Sequence, residues 1–138
     1  MVEKFINKNI GLIITSNYQW AGGLYYVINI IKSINYKPNN YKIYVFYNNE
    51  TPYEIVEDIT KYKNVCKTIN LNNINKLIKL LLLIIRKTTG FNFIWMYIIY
   101  KYKLNNLYPL LSFEKGMSLC LSKLYFWIPD FQHKLMPE

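Results

Sequence analysis

The sequence predicts an α/β domain built on a doubly wound, Rossmann-like parallel sheet of about five strands. Three observations carry this. Short β-rich apolar runs alternate with segments that are apolar at helical spacing, and turn-forming residues punctuate the boundaries between them. Alternation of this kind indicates a parallel sheet with helices on both faces, joined by right-handed crossovers. The 138 residues, 52% of them apolar, form most simply one compact domain, 1–138, with a real core.

The elements follow in order. Ile10–Thr15 is a first strand, a polar and glycine-containing stretch follows, and Leu24–Ile34 is apolar at helical spacing. Tyr41–Tyr47 is a second strand, bounded by Pro38-Asn39-Asn40 and Asn48-Asn49. Thr51-Pro52-Tyr53-Glu54 has the spacing of a capping box with Pro at the first helical position, so a helix is expected from Pro52 to about Tyr62. Asn64–Ile69 is a third, shorter strand, and Asn72–Thr88 is a helix that Gly90 breaks. Phe91–Lys103 reads as a helix, although its aromatic and β-branched content also allows a strand. Leu107–Ser112 and Leu124–Ile128 are two further buried strands, with Pro109 near an end of the first, where a missing ladder donor is tolerated. In the usual doubly wound order the loops after the first and fourth strands flank the topological switch point, and the loop after the fifth opens on the same edge.

Charge is unevenly placed. The chain carries a net +9, and no Asp or Glu lies between Asp58 and Glu114, an interval with nine Lys and Arg that equal the whole excess. On the helix expected at Asn72–Thr88, about 100° per residue gathers Lys76, Lys79, Arg86 and Lys87 in one arc, with Leu83 among them. Two readings stand side by side: a helix lying on anionic lipid, with Trp95 and nearby tyrosines at headgroup level, or a wide core-facing helix with a solvated lysine edge. Nothing resembles a helix-turn-helix, a zinc finger or an RNP motif, so nucleic acid is not an expected partner. Asn, Ile, Lys and Tyr are all encoded by A/T-rich codons, and the fourteen tyrosines are discounted accordingly.

Cys66 and Cys120 form no CxxC pair, which argues against a disulfide framework or a zinc site and leaves a reducing cytoplasm as the default. Apolar residues Ile10–Ile14 are too few for the core of a signal peptide. Lys79, Arg86, Lys87 and Gly90 interrupt the greasiest stretch, so no transmembrane span is expected.

Two places carry candidate chemistry. Gly22 and Gly23, after Trp20 and Ala21, sit between a strand and a helix, where backbone N–H groups could approach a phosphate closely; taken alone, the pair is more simply explained as a tight turn without a ligand. They form neither a Walker A sequence nor a full dinucleotide fingerprint. His133, the only histidine, follows Asp130 by three residues, where a neutral imidazole could hydrogen-bond a sugar hydroxyl or be incidental. Glu114 could line the same crevice or face water. No second carboxylate, serine–histidine pair or metal-ligand cluster accompanies them, which leaves hydrolase chemistry unsupported.

Ile10-Gly-Leu-Ile-Ile-Thr-Ser-Asn-Tyr-Gln-Trp-Ala-Gly-Gly-Leu-Tyr-Tyr26 and Phe126-Trp-Ile-Pro-Asp-Phe-Gln-His-Lys-Leu-Met-Pro-Glu138 together resemble the N-terminal, acceptor-side domain of family 4 glycosyltransferases. These are retaining GT-B enzymes with two Rossmann-like domains facing each other across a cleft. The second segment is the more specific, and Tyr108-Pro-Leu-Leu-Ser112 falls where a related strand would.

The resemblance implies transfer of a sugar from a nucleotide diphosphate-sugar to a glycan or lipid-linked acceptor, with retention and with no required metal or other cofactor. It implies that Gly22 and Gly23 cap the donor diphosphate, that Asp130 and His133 sit near the transferred sugar or acceptor, and that Trp20, Ser112, Glu114 and Gln132 line the cleft. The sequence stops just after the second motif, short of the family's donor-binding domain with its paired glutamates. A half-cleft cannot exclude water, so these residues alone are expected to be inactive and to need a separate C-terminal domain as partner. A non-catalytic membrane-surface or scaffold protein that keeps the Rossmann-like fold is the alternative, with peripheral contact at the inner membrane face.

Overall fold

A computed structural model of the chain describes residues 8–14, 21–36, 40–110 and 122–126. Five strands form one sheet: β1 (Lys8–Ile14), β2 (Tyr41–Tyr47), β3 (Val65–Asn70), β4 (Asn106–Leu110) and β5 (Lys123–Phe126). Their order is β3-β2-β1-β4-β5, with every neighbouring pair parallel. The helices are α1 (Ala21–Tyr36), α2 (Tyr53–Thr60), α3 (Lys76–Thr89) and α4 (Ile94–Tyr102), and a single 3-10 turn, Leu71–Asn73, precedes α3. This is the doubly wound arrangement the alternation predicted.

The pleat of the central strands builds two cores. Leu12 and Ile14 of β1, with Ile43 and Val45 of β2, pack against Leu24, Val27 and Ile31 of α1 and Ile59 of α2. Ile13 and Phe46 point to the opposite face, where they meet Ile98 and Ile99 of α4, Leu104, and Leu107 and Leu110 of β4. A strand covered on both sides must be apolar where it is covered, which is why Ile10–Ile14 of β1 reads as an unbroken greasy run. Gly11 lies in β1 on the second face, and a Cβ there would stand 2.7 Å from Leu107 Cδ1 and 2.8 Å from Leu104 Cδ1. The missing side chain is what lets Leu104 and Leu107 close onto the strand.

Several local expectations are corrected. The capping box does not form: α2 begins one residue later, with Pro52 as its cap and no side-chain cap bond. The Thr51 hydroxyl faces the Ile14 carbonyl (3.2 Å) and Asn48 Oδ1 (3.1 Å) instead. Tertiary hydrogen bonding has outbid the local one. The third helix starts at Lys76, not Asn72, because Asn70 caps the start of a separate 3-10 turn by accepting from the Asn72 amide, and Asn75 then caps α3 by accepting from the Leu77 amide at 2.9 Å. Phe91–Lys103 resolves into α4, which ends at Lys103 in the left-handed region (φ 50°) while the Leu104 amide reaches back to the Ile99 carbonyl at 3.0 Å. Pro109 lies where the β4–β5 register shifts, which accommodates its missing donor within an interior strand.

The asparagines are structural, whatever codon usage supplied them. At the amino end of the sheet the Asn9 amide donates to Asn105 Oδ1 (2.8 Å), the Asn105 amide to the Asn9 carbonyl (2.8 Å) and the Lys123 amide to the Asn105 carbonyl (2.9 Å), stitching β1, β4 and β5 together. Asn35 Oδ1 accepts from the Asn64 amide at 2.9 Å, tying the end of α1 to the start of β3.

Candidate functional site at the carboxyl edge of the sheet

The strand order reverses direction at β1, which has β2 on one side and β4 on the other. In open parallel sheets that is where the two neighbouring loops part and leave a crevice. Leu12 stands opposite Tyr108, so β1 and β4 both finish within two residues of that pair, at Ile14 and Leu110. The carboxyl end of β5, Phe126, lies on the far side of β4.

Three features shape this edge. Gly22 and Gly23 lie in the first turn of α1, not in a turn ahead of it. First-turn amides have no intrahelical acceptor and sit at the positive end of the helix dipole. Leu24, Val27 and Ile31, each at most 2% exposed, clamp α1 onto β1 and β2 and so fix where that turn sits. Next, the Ile14 carbonyl at the very end of β1 is held by Thr51, itself buried, while Asn48 Oδ1 also accepts the Glu50 amide at 3.2 Å. The loop after β2 is thereby fastened to the end of β1. Finally, Tyr26 of α1 and Tyr108 of β4 lie with their rings tilted against each other, centroids 6.2 Å apart. Burial, reinforced by Tyr26, pushes the Tyr108 phenol up to about 12. Neither Thr51 nor the tyrosine pair was marked as part of this edge by the sequence; the tyrosines were lost among a residue type too common to signal anything.

Of the residues expected to carry function, Gly22 and Gly23 are at this edge. Trp20, Ser112, Glu114, Asp130, Gln132 and His133 lie outside the described residues, as does Cys120. Lys76, Lys79, Arg86 and Lys87 are all exposed on α3, away from either core. Trp95, expected at headgroup level beside them, is half-buried and packs against the α4-side core. A shallow groove of about 500 Å³ between α1 and α2 is lined by both signs of charge, including Lys32, Glu54 and Glu57, and belongs to the helices and not to the crevice. Among the described residues no cluster of His, Cys, Asp or Glu is suited to a metal, and no helix is long and apolar enough to cross a membrane.

Fold and edge together define an α/β protein with a five-stranded, all-parallel, Rossmann-like sheet. Compared with known proteins, the chain matches no family model, no curated protein and no solved structure.

Proposed function

We propose that the chain is the acceptor-side domain of a retaining GT-B glycosyltransferase, which uses a nucleotide diphosphate-sugar in a cytoplasmic setting. The observation that carries the reading is the strand order. The carboxyl ends of β1, β4 and β5 are neighbours in one parallel sheet, and the residues that resemble the family's motifs come next in sequence after the first and last of them. Around Gly22 and Gly23 the first-turn amides of α1 supply fixed positive dipoles, suited to the diphosphate that takes up charge as the sugar departs. Asp130 and His133 are proposed to contact the sugar or acceptor, with Trp20, Ser112, Glu114 and Gln132 lining the cleft.

The test is transfer itself. Residues 1–138 alone are expected to show negligible turnover, whereas the same residues joined to or mixed with a donor-binding domain of the family should transfer sugar with retention, read from the anomeric proton by NMR. In that assembly Gly22→Val, which blocks close approach of the amides, should lower kcat about tenfold or more. Failure of a folded two-domain assembly to use any nucleotide-sugar, or full activity in the valine variant, would count against the reading.

A further inference from the structure

We propose that α3 is a docking helix that lies flat on an anionic phospholipid bilayer, with Leu77, Leu80, Leu81 and Ile84 entering the acyl boundary. This inference is independent of the transferase reading.

No residue of α3 is buried, and none belongs to either core. Ile78, Leu82 and Ile85, the half-buried positions, fall within an arc of about 60° that faces the body of the protein. On another side, Leu77 (76% exposed), Leu80 (57%), Leu81 (58%) and Ile84 (51%) share an arc of about 100° open to solvent. Contiguous aliphatic surface of this kind on a soluble fold marks an interaction site.

The chemistry around the arc selects the occupant. Lys76 and Lys87 border it, Lys79 and Arg86 lie further round, and α3 carries no carboxylate. A second copy packed through the same face would offer those cations no carboxylate, because α3 has none. An anionic surface meets them instead with opposite charge, and their aliphatic stems can lie along the apolar boundary. The hydroxyls of Thr88 and Thr89 bond back to carbonyls of their own helix, at 3.1 Å to Ile84 and 2.7 Å to Ile85, so they present no unpaired polar group to lipid. Fourteen residues make a rod of about 21 Å, too short to span a bilayer but suited to lying in its interface. Phe91, directly after the Gly90 cap, is 36% exposed and stacks on Phe93 with centroids 5.8 Å apart. It extends the apolar surface at the end of the helix.

Flotation of the purified chain with phosphatidylcholine vesicles, with and without phosphatidylglycerol, tests this. Binding to the anionic vesicles should exceed binding to neutral ones about tenfold or more and should weaken as salt rises. Leu77→Asn with Leu81→Asn, both at exposed positions, should abolish binding and leave the far-UV circular dichroism and urea midpoint unchanged. Lys76→Gln with Lys87→Gln should reduce binding about fivefold per charge. Lack of binding, equal binding to neutral vesicles, or binding that survives the double asparagine variant would each overturn the proposal. So would a dimer seen by sedimentation that the asparagine variant breaks while vesicles remain unbound, since the face would then belong to protein.

Discussion

Helices α1 and α3 are similar in length and rich in the same aliphatic residues, yet one is the anchor of the molecule and the other touches neither core. α1 connects β1 to its neighbour β2 and must cross directly over the pair, so Leu24, Val27 and Ile31 are pressed onto Leu12, Ile14, Ile43 and Val45. α3 belongs to the longer passage from β3 to β4, which contains two helices. The second, α4, covers the available face with Ile98 and Ile99 against Ile13, Phe46 and Leu107. Little sheet is left for α3. Amphipathic spacing thus says that a helix has an apolar side, whereas the route of the chain decides whether protein meets it.

The sharpest way to break the comparison is to cut equivalent side chains. Ile31→Ala should cost about 2–5 kcal/mol through lost burial and a residual cavity, while Leu81→Ala should stay within about 0.5 kcal/mol, both measured by urea unfolding. Equal losses would mean that α3 has a protein cover. On the buried side, Gly11→Ala should cost about 1–3 kcal/mol, because the Leu104 and Leu107 methyl groups it would meet are enclosed and cannot give way cheaply. An unchanged urea midpoint would show that Leu104 and Leu107 can give way after all.

Thr51→Val keeps the shape but removes the hydroxyl from the Ile14 carbonyl, and should cost about 1–3 kcal/mol as that acceptor is left unpaired. A neutral result would show the loop after β2 to be fastened otherwise. At the two helix ends the signs should oppose. Gly90 holds φ 74° with open space around it, so Gly90→Ala should destabilise by about 1 kcal/mol, whereas Lys103→Gly at φ 50° should stabilise by a few tenths to about 1 kcal/mol. Thermal melts of the two variants moving in the same direction would contradict this.

A further effect concerns pH. Tyr108 ionises at about 12 in the folded chain and near 10 when unfolded. The unfolded state therefore holds fewer protons between those values, and the stabilisation present below pH 10 is lost as pH rises through that window. Urea midpoints should fall between pH 10 and 12 less steeply in Tyr108→Phe than in the parent; identical slopes would exclude the linkage.

Much of the fold was legible because burial writes itself into composition. β2 was delimited at Tyr41–Tyr47 from its β-rich run and flanking asparagines, and Gly90 was correctly placed as the end of a helix. Thr51 misled for a physical reason: its spacing to Glu54 satisfies a capping box, but a buried carbonyl from a distant strand competed for the same hydroxyl. Of the candidate site, the glycines could be placed beside β1 from sequence, yet their position inside the first turn of α1 could not. The Tyr26–Tyr108 pair had no signature at all, since it joins residues far apart among many similar ones.

The sequence by itself determined the alternation of strands and helices, the apolar character of β1 and the basic middle of the chain, because these follow from local periodicity and residue chemistry. Only the tertiary structure decided that Gly11 has no room for a side chain, that Thr51 serves β1 and not α2, and that Leu77, Leu80 and Leu81 of α3 remain exposed. Each of those depends on which distant surface arrives alongside, and proximity of that kind is set by the path of the chain through space.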